Sequence, residues 1–326
     1  MGRTVVTTEG RRLEVGCSGP EDGYPVFLLH GTPGSRLGPR PRTGDLHRSH
    51  IRLISYDRPG YGGSDRLEGR GVVHAAGDVA AIAQDLGLSK FSVVGRSGGA
   101  PHALACAALL PHAVCSVAVL ASLAPPDTRE LSWSDGVWFE GMTQSNIAAF
   151  QLARQDPATL RADLLNRGSV INADPEQIIA DLHGELSDGD RRIVMEAGVR
   201  NMLVSNFTAA FALDSDADAG TPAPRYGLGW YDDVISLVNP WGFEVRQIDV
   251  PTLVWHGALD EFSPVDHFHW LAEHIPGAKA TIEPKRAHFG AVQALPRVLN
   301  WLVKAGRERF ADEAAAADEA RPSERA

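Results

Sequence analysis

Residues 91–99 of this 326-residue chain read FSVVGRSGG, and this stretch decides the fold. Its first four residues form a short, mainly apolar run, which is typical of a strand buried on both faces. The G-x-S-x-G pattern of residues 95–99 follows, and a helical pattern begins at residue 98. A strand, this pattern and a helix in succession predict a sharp turn that lifts the Ser97 hydroxyl above the edge of a sheet. The alternative is a plain strand-to-helix turn whose serine only caps the helix.

Strand and helix signals alternate on both sides of this turn. Apolar runs that predict buried strands lie at residues 26–29, 51–56, 114–120, 252–255 and 279–282, and helical patterns lie at 72–86, 98–110 and 291–303. Residues 4–8 and 13–17 are predicted to form an opening hairpin. Strands that are apolar on both faces belong to a parallel sheet covered by helices. The sequence therefore predicts an α/β fold, a mostly parallel sheet with helices on both faces.

The middle of the chain has a different pattern. Helical patterns at 137–154, 157–165 and 190–211 dominate it, and residues 214–224 are a loop by composition. We therefore expect a helical cap inserted into one α/β domain. The predicted organisation is a first core segment at 1–125, the cap at 126–247, a second core segment at 248–304 and a flexible tail at 305–326.

A serine hydroxyl that acts as a nucleophile needs a base, and the base needs a group that orients it. In folds with this serine turn, the chain order is serine, acid, histidine. Asp260 follows the predicted strand at 252–255, and His288 follows the one at 279–282. Because ligands bind at the carboxyl ends of parallel strands, we expect both side chains to meet Ser97 there.

Other residues of the right chemical type compete for these roles. Asp127 and Glu261 could supply the acid, and the chain has twelve histidines. His267, His269 and His274 share a predicted helix, but the first two are only two residues apart and lie on different faces. No metal site is therefore predicted among them.

Acyl transfer also requires donors for the oxyanion that forms on the substrate carbonyl. One predicted donor is the backbone N–H of Gly98, directly after the serine. The loop after the strand at 26–29 reads HGTPG from His30 onward. Since Pro33 has no N–H, Thr32 is the predicted second donor.

Composition disfavours several classes of protein. The net charge of −10 disfavours a binder of nucleic acid or anionic membranes, because phosphates attract a basic face. Three widely spaced cysteines do not suit a disulfide framework or a zinc site, and no apolar leader is recognised, so we expect a cytoplasmic protein. Residues 103–124 are apolar, but Pro111 divides them into segments too short to cross a bilayer. The expected partner is a small-molecule substrate, and the oligomeric state stays open.

Five motifs resemble those of the α/β-hydrolase superfamily, in particular its lidded esterase and proline-iminopeptidase-like branch. They are HGTPG at 30–34, YDRPGYGGS at 56–64, GRSGG at 95–99, GALD at 257–260 and AHF at 287–289. The resemblance covers most of the two predicted core segments. The middle insertion corresponds by position to the helical cap of that superfamily.

The resemblance implies a role for each candidate residue. Ser97 looks like the nucleophile, His288 like the base and Asp260 like the group that orients it. Thr32 and Gly98 look like the oxyanion donors.

The chain also departs from the pattern of that branch. Its peptidases usually carry H-G-G-P-G where this chain has Thr32, and often a tryptophan where it has Gly98. Both departures argue against peptidase activity. Asp57 and Arg58 resemble a structural turn of the superfamily and are interpreted as scaffold. Since position 97 is serine, an aspartate nucleophile is excluded at this turn.

The predicted function is hydrolysis of an ester or lactone, and less readily of an amide, through an acyl-serine, without cofactor or metal. A small to medium-sized, partly apolar substrate is expected, because a subset of the cap's aromatic side chains would line a pocket. Two alternatives stay open: haloperoxidase, C–C hydrolase or lyase chemistry by the same three side chains, and a non-catalytic ligand-binding protein. The aromatic residues considered are Trp133, Trp138, Phe139, Phe150, Phe207, Phe211, Trp230, Tyr231, Trp241 and Phe243.

Overall fold

One sheet of eight strands organises the protein in the computed structural model, which describes residues 2–128, 130–132, 134, 136–212 and 226–319, with side chains as far as residue 311. The strands are β1 Gly2–Val6, β2 Arg12–Ser18, β3 Tyr24–Leu29, β4 Ile51–Tyr56, β5 Phe91–Arg96, β6 Val114–Leu120, β7 Thr252–Gly257 and β8 Lys279–Glu283. Their order across the sheet is β1-β2-β4-β3-β5-β6-β7-β8. The hairpin β1–β2 and the pair β2–β4 are antiparallel, and the other pairs are parallel.

Eleven α-helices accompany this sheet within the described residues. They are α1 Thr43–Arg48, α2 Ala75–Asp85, α3 Ala100–Leu109, α4 Gln144–Gln155, α5 Pro157–Ala173, α6 Gln177–Leu182, α7 Asp188–Met195, α8 Ala197–Ala210, α9 Leu228–Leu237, α10 Val265–His274 and α11 Gly290–Glu319. Helices α2, α3 and α10 contribute to one core cluster, and α1 and α11 contribute to a second cluster.

The two clusters explain why the strand signals are continuous apolar runs. In β6, Val117 and Val119 belong to the first cluster, whereas Ala118 and Leu120 belong to the second. Successive side chains of a strand point to opposite faces, so a strand covered on both sides needs apolar residues at every position. The predicted α/β fold is confirmed, including the opening hairpin and the bounds of β4 and β6.

The apolar stretch at 103–124 is made of the end of α3, a turn and strand β6, as the break at Pro111 predicts. None of the described helices combines the length and the apolar character that a bilayer span requires.

Helices α4–α9, called the inserted helices below, lie between β6 and β7 and fall within the predicted insertion at 126–247. The helix predicted at 190–211 is two helices, because the backbone of Glu196 is extended between α7 and α8. Helices α6 and α9 are additional to the prediction. The loop predicted at 214–224 and the aromatic candidate Trp133 lie outside the described residues.

The last helix extends well beyond the predicted end at residue 303. Apolar residues become sparse beyond that residue. Just before it, the carbonyl of Leu302 accepts a hydrogen bond of 2.9 Å from Ser116 Oγ, which holds α11 on the sheet. One turn later, Gly306 packs so closely on β3 that a Cβ would lie 2.0 Å from Tyr24 Oη. Residues 320–326 of the predicted tail lie outside the described part of the chain.

We expect Gly306→Ala to destabilise the protein, although alanine favours helices more than glycine does. The new methyl group would overpack the contact with Tyr24 at a cost of about 1–3 kcal/mol. Gly77→Ala in α2 is the matched control, since nothing lies within 4 Å of an added Cβ there. This control should stabilise the protein by about 0.5–1 kcal/mol. Urea unfolding of both variants measures the two changes, and a Gly306→Ala protein as stable as the control would contradict the close docking.

Candidate active site

Ser97 stands at the sharp turn between β5 and α3, with a backbone φ of +54° in the left-handed region. Residues other than glycine rarely adopt that region, and such strain is concentrated at functional sites. A Cβ on Gly95 would lie 2.3 Å from the carbonyl oxygen of Gly99, and one on Gly99 would lie 2.3 Å from that of His30. The turn therefore has the shape that the G-x-S-x-G pattern predicts, and glycine is required on both sides of the serine.

The structure brings Ser97, His288 and Asp260 together at the carboxyl ends of β5, β8 and β7. Ser97 Oγ lies 3.0 Å from His288 Nε2. His288 Nδ1 lies 2.9 Å from Asp260 Oδ2 and 3.0 Å from Oδ1. A histidine that donates from Nδ1 to the carboxylate can accept the serine proton at Nε2.

Asp260 is held as an ion inside the protein. It is 4% exposed, and its Oδ1 accepts hydrogen bonds of 2.9 Å from the backbone N–H groups of Phe262 and Ser263. Burial alone would raise its pKa, but His288, His256 and the backbone N–H of Ser263 bring the pKa below the ordinary value. Asp260 is therefore charged at neutral pH and can orient the imidazole.

The competing candidates lie elsewhere. Asp127 pairs with Arg154 at 2.6 Å, and Glu261 is exposed. His267 donates from Nε2 to the carbonyl of Trp138 and accepts at Nδ1 from a backbone N–H, so both of its ring nitrogens are used. Within the described chain, no group of three or more possible ligand side chains is arranged to hold a metal ion.

The two predicted oxyanion donors adjoin each other beside the serine. A Cβ on Gly98 would lie 3.3 Å from the backbone nitrogen of Thr32, and one on Gly31 would lie 3.9 Å from Ser97 Oγ. The same added Cβ on Gly98 would lie only 2.2 Å from Thr32 Oγ1. Position 98 must therefore lack a side chain because Thr32 has one.

A buried carboxylate, Asp233 of α9, fixes the loop that contains Thr32. Its Oδ2 accepts from Thr32 Oγ1 at 2.6 Å and from Tyr61 Oη at 2.9 Å, and its Oδ1 accepts from Arg70 at 2.6 Å. Arg58 also pairs with it and donates to the carbonyls of His30 and Gly31. The cluster joins the inserted helices to the predicted oxyanion loop.

Charge balance keeps this cluster stable. Burial would raise the pKa of Asp233, but the guanidinium groups of Arg58 and Arg70 hold it well below its usual range. Arg58 is therefore part of the scaffold, as its motif suggested, and it donates hydrogen bonds directly to the predicted oxyanion loop. The sequence analysis missed Asp233, and the available signal was a pair of acids within the otherwise apolar stretch of α9.

A second carboxylate of the inserted helices reaches the histidine loop. Asp190 of α7 is 2% exposed, and its Oδ1 accepts from the backbone N–H of Phe289 at 2.8 Å. Phe289 directly follows His288, so this contact restrains the loop that presents the imidazole. Burial raises the pKa of Asp190 above its ordinary value. No local pattern marked this residue.

A cavity of about 150 Å³ opens beside Ser97 and His288, between the sheet and the inserted helices. An engineered cavity of roughly this volume holds benzene, so the space suits a group of that size. Of the aromatic candidates, Phe150, Phe207 and Trp230 line it. Trp138 is instead packed between Phe150 and His267, which supports the inserted helices on the core.

Comparison with known proteins finds one matching family model and several relatives. A family model described as alpha/beta hydrolase fold matches residues 24–294. A proline iminopeptidase from Neisseria gonorrhoeae is 25% identical over 81% of this chain and 83% of its own length. A 2-hydroxymuconate semialdehyde hydrolase from Pseudomonas putida is 26% identical over 94% and 95%. A bifunctional esterase/perhydrolase from Acinetobacter calcoaceticus is 31% identical over 37% and 45%.

The contact between positions 32 and 98 predicts a non-additive pair of substitutions. Gly98→Ala should lower the free energy of unfolding by about 1–3 kcal/mol, because its methyl group meets Thr32 Oγ1. Thr32→Gly removes the obstacle, so the double variant should be more stable than the sum of the single effects predicts. Urea unfolding of the four proteins measures the coupling. Additive effects would show that the two positions do not touch.

Proposed function

The chain belongs to the alpha/beta hydrolase fold family, and from this premise we propose that it is a serine hydrolase that cleaves an ester or lactone through an acyl-serine intermediate. One observation carries the proposal: His288 lies within hydrogen-bonding distance of Ser97 Oγ on one side and of the Asp260 carboxylate on the other. This is the arrangement that activates a serine hydroxyl.

In the first half of the proposed reaction, Ser97 Oγ attacks the substrate carbonyl carbon while His288 Nε2 takes the hydroxyl proton. Asp260 stays ionised and stabilises the imidazolium that forms. The tetrahedral intermediate then collapses, the bond to the leaving oxygen breaks, and His288 returns the proton to that oxygen. The acyl group remains esterified to Ser97.

The second half repeats these steps with water. His288 takes a proton from the water as its oxygen attacks the acyl carbon. Collapse of the second tetrahedral intermediate releases the acid and returns the proton to Ser97 Oγ. In both halves, we propose that the negative carbonyl oxygen accepts hydrogen bonds from the backbone N–H groups of Thr32 and Gly98.

The proposed substrate is small to medium-sized and partly apolar. The cavity volume of about 150 Å³ and the side chains of Phe150, Phe207 and Trp230 support this size and character. Peptide hydrolysis is a weaker candidate, since Thr32 and Gly98 depart from the peptidase pattern. The names of the relatives support a second group of reactions, namely perhydrolase chemistry and cleavage of bonds other than esters.

We expect Ser97→Ala to abolish turnover of p-nitrophenyl esters and labelling by a fluorophosphonate probe. Asp260→Asn should lower turnover by about 10⁴-fold, because the imidazole loses its correct tautomer. Asp127→Asn is the control, since this competing acid pairs with Arg154 away from the site. Mass spectrometry of the labelled protein identifies the modified residue. Labelling that persists in Ser97→Ala would refute the nucleophile, and an unlabelled, inactive wild type would favour the ligand-binding alternative.

A panel of p-nitrophenyl esters of rising acyl length tests the pocket. The value of kcat/KM should rise from acetate to the medium chains, because each buried CH₂ contributes about 0.8 kcal/mol, and then fall once the acyl group exceeds the cavity. Lactones and anilides of the best acyl group should be included, together with a halogenation assay with peracid. A steady fall from acetate onward would contradict an apolar acyl pocket.

A further inference from the structure

We propose that the substrate carries a carboxylate group, and that Arg167 of α5 binds it. This inference rests on the proposed function and names the chemical class of the substrate. The described residues that line the cavity beside Ser97 include two arginines, Arg96 and Arg167, but no aspartate or glutamate. The cavity wall of a protein with a net charge of −10 thus carries two cations and no acid among its described lining residues.

Arg167 contacts an aromatic ring, and it contacts no acid among the residues that the structure describes. Its guanidinium carbon lies 4.6 Å from the ring centroid of Trp230, which also lines the cavity. It makes no ion pair or hydrogen bond with any residue that the structure describes. A cation–π contact of this kind uses the charge of the guanidinium and none of its N–H donors, which can therefore bind a ligand.

The acids nearest in sequence to Trp230 are already neutralised. Asp232 of α9 pairs with Arg66 at 2.8 Å, and Asp233 pairs with Arg58 and Arg70. Neither of them forms a salt bridge with Arg167. Within the part of the chain that the structure describes, no acid therefore balances the positive charge of Arg167 at the cavity wall.

Arg96 adds a second positive charge next to the reacting group. It directly precedes Ser97, lines both this cavity and a small neighbouring one beside Arg36, and has no salt-bridge partner among the described residues. Burial lowers its pKa to about 10, so it remains protonated at neutral pH. Both arginines are half-buried, where a ligand anion interacts with them more strongly than it would on an open surface.

A carboxylate fits these observations better than a neutral polar group. The planar guanidinium offers two parallel N–H donors that match the two oxygens of a carboxylate. The rest of the cavity wall is largely apolar, with Phe150 and Phe207 among its side chains. The inferred substrate is therefore an ester or lactone with a compact apolar part and a free carboxylate, which reaches Arg167 while its carbonyl lies at Ser97.

The test compares two esters that differ only in charge. The probes are p-nitrophenyl hydrogen adipate, whose acyl group ends in a carboxylate, and its methyl ester, which is neutral. The readout is the ratio of their kcat/KM values. We expect the kcat/KM of the wild type to be about 10-fold or more higher for the charged ester, because a charge-assisted hydrogen bond contributes at least that much to binding.

Arg167→Gln should bring this ratio close to 1. Arg167→Lys should leave an intermediate ratio, because the charge remains and the two-pronged geometry is lost. Arg161→Gln is the matched control, since Arg161 is an exposed residue of the same helix, and it should keep the wild-type ratio. A wild type that prefers the neutral ester, or an Arg167→Gln protein with an unchanged ratio, would overturn the inference.

A separate measurement distinguishes failure of the inference from failure of the proposed function. Calorimetric binding of adipate to Ser97→Ala requires no catalysis. Saturable binding that Arg167→Gln weakens by about 10-fold supports the carboxylate site even if no ester is hydrolysed. Ester hydrolysis without charge preference and without adipate binding would uphold the function and overturn the site.

Discussion

The left-handed backbone of Ser97 is the constraint around which this end of the sheet is built. To hold it, β5 and α3 approach so closely that Gly95 and Gly99 have no room for a Cβ. The same approach presses Gly99 against the carbonyl of His30, which places the loop after β3 beside the serine. One strained turn thus fixes both the hydroxyl and the neighbouring backbone. Asp260 and His288 reach this hydroxyl from the carboxyl ends of β7 and β8.

The contact between Thr32 and Gly98 gives a physical reason for two departures from the peptidase pattern. In the sequence, a threonine in the predicted oxyanion loop and a glycine after the serine look like two unrelated substitutions. In the structure the two residues depend on each other, because Thr32 Oγ1 occupies the space that a side chain at position 98 would need. Thr32 uses that position to donate to Asp233, so its hydroxyl ties the loop to the inserted helices.

Local patterns were sufficient for the sheet and for the meeting of Ser97, Asp260 and His288, because each of these residues follows a strand with a strong signal of its own. They were not sufficient for Asp233 or Arg167. Both lie on the inserted helices, and their partners are decided by how α5 and α9 pack against the core and each other. The end of α11 was missed because apolar residues become sparse beyond residue 303, whereas the contact there is made by Gly306, whose lack of a side chain permits the close approach to Tyr24.

The carboxylate of Asp233 also limits how this protein could be rebuilt. Arg58 and Arg70 belong to the first core segment and are 1% and 4% exposed, whereas their shared counter-ion comes from α9. Replacing the insertion with one of different sequence would leave these two buried cations without a counter-ion, at a desolvation cost of several kcal/mol each. The insertion is therefore not a freely interchangeable module. A chimera would have to supply a carboxylate at the place of Asp233, or remove both arginines together.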